Sequence, residues 1–549
     1  MKYINPIVSK TLFKEIRRSR YFVDKSRLIS TIVNCIGVSD KYLCITRPRR
    51  FGKTTNARML ACFLSRGLNA EDLFCGLEVS KDKNAMEHLG NHNVIYINFS
   101  ALPDVCENYS DYINFIKQGI AQDVKDLLPE ANIAKNAGPL ETLDEAFNKT
   151  EATFIFIMDE WDSMFFNDMF TEADQKDFLM FLKQLLKDQG YVDFAYMTGV
   201  LPIVKHSTGS ELNMFEEFSA VNSSCYSEYF GFTEAEVKNL CQKHKDYFKE
   251  ANKKPEVNFD GLKFWYDGYL TKTGEHMFNP RSTALALKND ELSSYWTDSG
   301  PYSEIYYCVK HNIDAVRDDL ARMIAGEPVP ANMRNYAASS MSFSTKDEIF
   351  SAMVVYGFLT YYKGCVSIPN HELMLKFQEV MEKDGMKYIA KLVKRSEETL
   401  AATLRRDEEV VAEIIEAAHD QEIPLLRYAH EADLAALINL VYLSARDNYF
   451  VKREEPAGKG VADVAFIPMD PNNSQLKPFI VELKVAQDTE DAKAAALRSV
   501  EQIKEKGYTS TFADNLSGEK PFANTPLAVG ISWDPKQKKH ACTILELDC

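Results

Sequence analysis

The 549-residue chain has no apolar run of about 18 residues, the length a helix needs to cross a bilayer. Its opening, MKYINPIVSKTLFKEIRRSR, lacks the apolar stretch and small-residue cleavage site of a secretory signal, so a cytoplasmic protein with no membrane partner is expected. The eleven cysteines form no C-x-x-C pair and no Cys/His cluster at zinc spacing, which argues against a disulfide framework or a structural zinc site. His88 and His92 stand four apart, but Gly90 and Asn91 between them spoil a helical ligand face. Positive charge is also scarce: 64 Lys and Arg against 80 Asp and Glu leave a net charge of −16. That balance excludes wholesale electrostatic binding to nucleic acid, so any DNA or RNA must be met by a local basic patch. There is no internal repeat and no low-complexity tract.

What is present is ordinary globular material, 45% hydrophobic and 26% charged, long enough for several domains at roughly 100–200 residues each. Over residues 1–230, strand-like apolar runs alternate with helical stretches, the pattern of a parallel sheet covered on both faces. The runs are YLCIT (Tyr42 to Thr46), VIYINFS (Val94 to Ser100), FIFIMDE (Phe154 to Glu160) and VDFAYMTG (Val192 to Gly199). Each ends in polar residues or Gly, as buried parallel strands do at the carboxyl edge where open α/β sheets bind ligands. From Phe232 the texture turns helical, with Thr233 and Glu236 at capping-box spacing, and residues 231–330 read as a helical lid. Residues 331–420 read as a mainly helical linker, and 421–549 as a second α/β unit.

Directly after YLCIT stands RPRRFGKTTNARML. Gly52, Lys53 and Thr54 form the G-K-[ST] half of a phosphate-binding loop opening a helix: the glycine admits a phosphate close to the backbone, the lysine reaches its oxygens, and the hydroxyl holds Mg²⁺. Arg49, Arg50, Phe51 and Thr55 complete the stretch expected to surround ATP. Arg47 occupies the place of the usual earlier glycine. Asp159 and Glu160 end the third apolar run, as expected where an aspartate supports Mg²⁺ and a glutamate polarises the attacking water. Thr198 ends the fourth, where a hydroxyl can sense the terminal phosphate or cap a turn, and Arg281 is a candidate lid arginine.

The segments YFVDKS, RPRRFGKT, FIMDEWD, MTGVLPI, FGFTEAEV, WYDGY, MFNPRS and YWTDSG resemble the bacterial AAA-ATPase-like family. The resemblance implies a P-loop ATPase core, an R-P-R-R-F-G-K-[ST] loop that accommodates Arg47, and a nuclease-like domain fused behind it.

Near the C-terminus, GKGVADVAF places Asp463 on one strand and FIVELKV places Glu482 and Lys484 on the next. Residues two apart on a strand share a face, so an acid and a lysine point together. Two carboxylates beside a lysine can hold Mg²⁺ while the ammonium steadies a water nucleophile, which is phosphodiester hydrolysis chemistry. Glu431 on the preceding helix, and Gln502 and Tyr508 after the lysine strand, complete a resemblance to the PD-(D/E)XK nuclease superfamily. By that likeness Asp463 and Glu482 are metal ligands, Lys484 assists the nucleophile, Glu431 is a supporting acid and Gln502 orients the site. The expected architecture is α/β: a P-loop NTPase parallel sheet with helical lid, a helical linker, and a restriction-endonuclease-like domain. Two functions compete: an ATP-controlled, Mg²⁺-dependent nuclease, and a nucleotide-dependent switch or scaffold that binds a partner without cutting. The oligomeric state stays open.

Overall fold

The computed structural model describes residues 2–134, 138–203, 211–221, 223–297, 313–324, 326–333, 345–383, 387–422, 438, 441–457, 460–469, 473, 475–487, 490–506 and 524–547. It divides into two compact units, one of residues 1–300 with 331–366, the other of 301–330 with 367–549.

The first unit is built on a five-stranded sheet. Its strands are β1 (Tyr42–Thr46), β2 (Val94–Asn98), β3 (Phe154–Asp159), β4 (Val192–Gly199) and β5 (Glu216–Ser219), in the order β2-β3-β4-β1-β5. Every adjacent pair is parallel. β3 is buried along its whole length, which is why it reads as an unbroken apolar run rather than an alternating one. The helix Lys53–Leu64 lies in the core, nine of its twelve residues buried, and its Phe63 packs with Phe13 and Phe74 against the sheet's Leu43, Ile45, Ile155 and Ile157. In the stretch expected to form a lid, Glu234–Glu250, Phe259–Tyr266 and Pro280–Asn289 are helices that share their own core with Tyr21. The capping box read from the sequence is formed, with the Glu236 amide donating to the Thr233 hydroxyl and the Thr233 amide to the Glu236 carboxylate.

The second unit carries another five-stranded sheet, Tyr449–Ala457, Gly460–Pro468, Phe479–Val485, Leu527–Asp534 and Lys539–Glu546, in sequence order. Only the Phe479–Val485 and Leu527–Asp534 pair is parallel. The helix Ala492–Lys506 joins those two strands and covers one face, burying Val500 and Ile503 against Ile480 and Ala528. Helices Lys387–Arg405 and Glu408–Glu422 contribute Ala402, Val411 and Ile415 to the core on the other. Among the described residues, no helix is long and apolar enough to cross a membrane.

Candidate functional sites

At the carboxyl edge of the first sheet, register sets Asp159 of β3 beside Thr198 of β4, and Thr198 beside Ile45 of β1. This is the edge from which the phosphate-binding loop departs. Gly52 has φ 88°, a left-handed conformation that glycine adopts without penalty, and it starts the helix that Lys53 opens. The Lys53 ammonium is buried and donates to the carbonyls of Arg47 and Pro48 at 3.0 and 2.9 Å. Burial lowers its pKa, against the pull of Asp162, Glu160 and Asp159.

Arg47 explains how the loop dispenses with the usual glycine. Its guanidinium is buried beneath the loop, where it donates to the carbonyls of Thr46 and Phe218 at 2.8 and 2.7 Å and lies over the Phe230 ring. Burial brings its pKa down to about 10. It fastens β5 to the loop. The Phe51 ring packs edge-on against Tyr269 at 4.8 Å, Arg49 is half-buried, Arg50 is exposed, and Thr54 and Thr55 lie half-buried in the first helical turn.

Asp159 is fully buried, and burial followed by the neighbouring Glu160 raises its pKa to about 6, while Thr54, Lys53 and Tyr96 favour the ionised form. The Tyr96 hydroxyl donates to Oδ2 at 3.3 Å, and Oδ1 has no hydrogen-bond partner among the described residues. Such an oxygen beside a threonine hydroxyl suits Mg²⁺, which takes one or two carboxylates and completes its shell with water and phosphate. Glu160 follows with φ 53°, a conformation costing a non-glycine residue about 1 kcal/mol, which turns its side chain out of the strand's alternation. It lines a cleft of about 390 Å³ with Arg49, Ser163 and Phe166. Thr198 is fully buried and Arg281 is exposed at the start of its helix.

Asp162 is a residue to which sequence reasoning gave no role. It is buried and accepts the amides of Val200 and Leu201 at 2.8 and 2.7 Å, pinning the segment after β4 to the end of β3. Its signal was the second aspartate of FIMDEWD. His88 and His92 bond to each other, Nδ1 to Nε2 at 2.9 Å with stacked rings, and burial lowers the His92 pKa to about 4.

In the second unit the antiparallel register ends at Val464 beside Val481, so Asp463 and Glu482 follow at the same level. Asp463 Oδ2 accepts the Leu483 amide at 2.7 Å. Glu482 is buried, its Oε1 accepts from Gln502 Nε2, and the same oxygen lies 3.5 Å from Lys484 Nζ. Burial, then Asp463, raises the Glu482 pKa to about 7 against Lys484. Glu482 Oε2 has no hydrogen-bond partner among the described residues, again the lone pair a divalent cation would take. Asp463, Glu482, Lys484 and Gln502 are thus brought together. Glu431 and Tyr508 lie outside the described residues. Among those described, no group of three or more His, Cys, Asp or Glu side chains converges as a metal cage.

A parallel sheet with a GKT loop at its carboxyl edge and a mixed sheet bearing an acid–acid–lysine cluster define an α/β protein of P-loop NTPase and restriction-endonuclease-like parts. Residues 8–208 match the family model described as predicted AAA-ATPase, and residues 431–541 match that of the PD-(D/E)XK nuclease superfamily, so the chain carries one segment of each kind. It is 26% identical over 285 residues to an uncharacterized protein in the vnfD 5' region of Azotobacter chroococcum mcd 1. That alignment covers 51% of either protein, so the chain spans about half the length of the curated relative it matches. Among solved structures it is similar to the Walker-type ATPase of Pyrococcus abyssi, at 10% identity and a TM-score of 0.35, covering 66% of this chain and 97% of that one. It is also similar to the ORC2 protein of Aeropyrum pernix in its ADPNP-ADP complexes, at 12% identity and a TM-score of 0.31, covering 66% and 92%.

Proposed function

We propose that the chain is a cytoplasmic ATP-binding protein coupled to a Mg²⁺-dependent nucleic-acid phosphodiesterase, with residues 1–230 as ATPase core, 231–330 as lid, 331–420 as linker and 421–549 as nuclease. The convergence of Asp463, Glu482, Lys484 and Gln502 carries the cutting half of this reading. In the ATP site, Lys53 exchanges its two loop carbonyls for phosphate oxygens, Thr54 and Asp159 hold Mg²⁺, and Glu160 takes the proton of the attacking water. Thr198 faces the terminal phosphate from the adjacent strand end. In the second site, Asp463 and Glu482 hold the ion, Gln502 fixes the Glu482 carboxylate, and Lys484 steadies the water or the charge growing on the phosphate. Mg²⁺, when bound, supplies a Lewis acid for the phosphoryl oxygen. Glu431 is the supporting acid of the same proposal.

Nucleic acid would meet Lys504 and Lys506 at the end of the Gln502 helix, Lys536 and Lys538 in the turn before the last strand, and Lys539 at the start of that strand. One observation favours the second reading, a nucleotide-dependent switch or scaffold that binds without cutting: residues 421–549 hold 15 Lys and Arg against 19 Asp and Glu, a poor footprint for DNA. Cleavage of a mixed DNA and RNA panel by the full chain, in Mg²⁺ and in EDTA, separates the two. The nuclease reading expects Mg²⁺-dependent products that fall at least 100-fold in Glu482→Ala. Equal products from both proteins would discard it, and no products from either would favour the switch.

A further inference from the structure

Three arginines stand in RPRRFGKT, and the structure gives them different surroundings. Arg47 is buried under the loop, Arg50 is exposed, and Arg49 lines the cleft of about 390 Å³ that Glu160 also lines. The Arg49 guanidinium carbon lies 5.3 Å from the centre of the Phe166 ring. It is also close enough to Lys53 to oppose the lysine's charge, so two cations converge near Asp159 at the end of β3 and Glu160 just after it.

The ring under Arg49 belongs to a longer chain of aromatic contacts. Phe166 lies 6.1 Å from Tyr356, and Tyr356 lies 5.9 Å from Phe358. Phe358 stacks on Trp296 at 6.0 Å, Trp296 lies 6.5 Å from Tyr269, and Tyr269 lies 4.8 Å from Phe51. Five of its six members are buried. The belt leaves the phosphate-binding loop at Phe51 and returns to it at Arg49, two residues earlier. Close-packed rings resist displacement, so the belt restrains the loop from both ends.

We propose that Arg49 touches the terminal phosphate of ATP in cis, so that hydrolysis needs no arginine from a second subunit, and that Phe166 is the positioning residue beneath it. The proposal rests on the ATP reading above. Water oxygen forms the new bond to the terminal phosphorus as the bond to the ADP oxygen breaks. ADP leaves with the electron pair, the water proton passes to Glu160, and the Arg49 guanidinium stabilises charge on the non-bridging oxygens.

The test is steady-state Mg-ATP hydrolysis by the full chain over a 20-fold range of protein concentration, with ATP affinity measured separately by displacement of a fluorescent nucleotide. Wild type should keep the same rate per molecule on dilution. Arg49→Ala should lose about 100- to 1000-fold in kcat while ATP affinity changes less than about fivefold. Phe166→Leu should lose about tenfold in kcat with KM little changed, and Phe166→Tyr should restore it. The proposal is overturned if Arg49→Ala keeps its kcat, if it loses ATP affinity as fully as Lys53→Ala, or if the wild-type rate per molecule falls on dilution. Wild type that binds ATP without turnover would sink the role of Arg49 and spare the binding site. If wild type and Lys53→Ala alike fail to bind, both readings fall together.

Discussion

Glu482 concentrates the chemistry of the second unit in one side chain. It is almost wholly buried, its Oε1 is engaged by Gln502 and faced by Lys484, and its Oε2 has no partner among the described residues. Burial and Asp463 raise its pKa from 4.5 to about 7, so the unfolded chain holds fewer protons at this position than the folded one between those values. The stabilising contribution is therefore fully present below about pH 4.5 and lost as pH rises through about 7. Glu482→Gln, which removes the buried charge, should accordingly melt a few degrees above wild type at pH 8 in EDTA and lose most of that advantage at pH 5, as read by calorimetry. An advantage of equal size at both values would mean that Glu482 titrates normally. Asp159, with a pKa raised to about 6, meets the same burial cost in the first unit, and a bound cation would lower that cost for both acids.

At the scale of the element, the ends of β3 and β4 are held by packing too tight for a side chain. A Cβ on Gly199 would lie 2.5 Å from Trp161 and 2.6 Å from Asp162, the residue that holds the Val200 and Leu201 amides. Gly199→Ala should thus cost about 1–3 kcal/mol and weaken ATP binding, checked by urea unfolding and nucleotide titration, whereas a neutral effect would show that the junction is pliable. The first four strands were legible because buried parallel strands are written as continuous apolar runs, and Asp159, Glu160 and Thr198 fell where those runs end. β5 was not legible: EEFS is a short, polar edge strand, and no periodicity announces it. Nor was the division of labour among the loop arginines, since Arg47 takes its place from the carbonyls of Thr46 and Phe218, the latter 171 residues away. In the second unit the acid–x–lysine spacing made the shared face of Glu482 and Lys484 readable, but the Gln502 contact depends on how the helix Ala492–Lys506 lies on the sheet. The role of Asp162 was hidden for the same reason, because its partners are backbone amides with no side-chain signature.

For the molecule as a whole, the two compact units do not follow chain order: residues 331–366 group with the first and 301–330 with the second. Contact between Phe166 and Tyr356 shows what that interleaving does for the first unit, since the segment beyond residue 330 supplies a ring next to the cleft of Arg49 and Glu160. The proposed coupling of the two units is that nucleotide state governs access to the acidic cluster. The direct measurement is the cleavage rate of one nucleic-acid substrate by the full chain in Mg²⁺ alone and in Mg-ATP, for wild type and Lys53→Ala. The account predicts a wild-type rate that differs at least fivefold between the two conditions and a Lys53→Ala rate that does not respond to ATP. Equal wild-type rates in both conditions, with ATP shown to be bound, would contradict it.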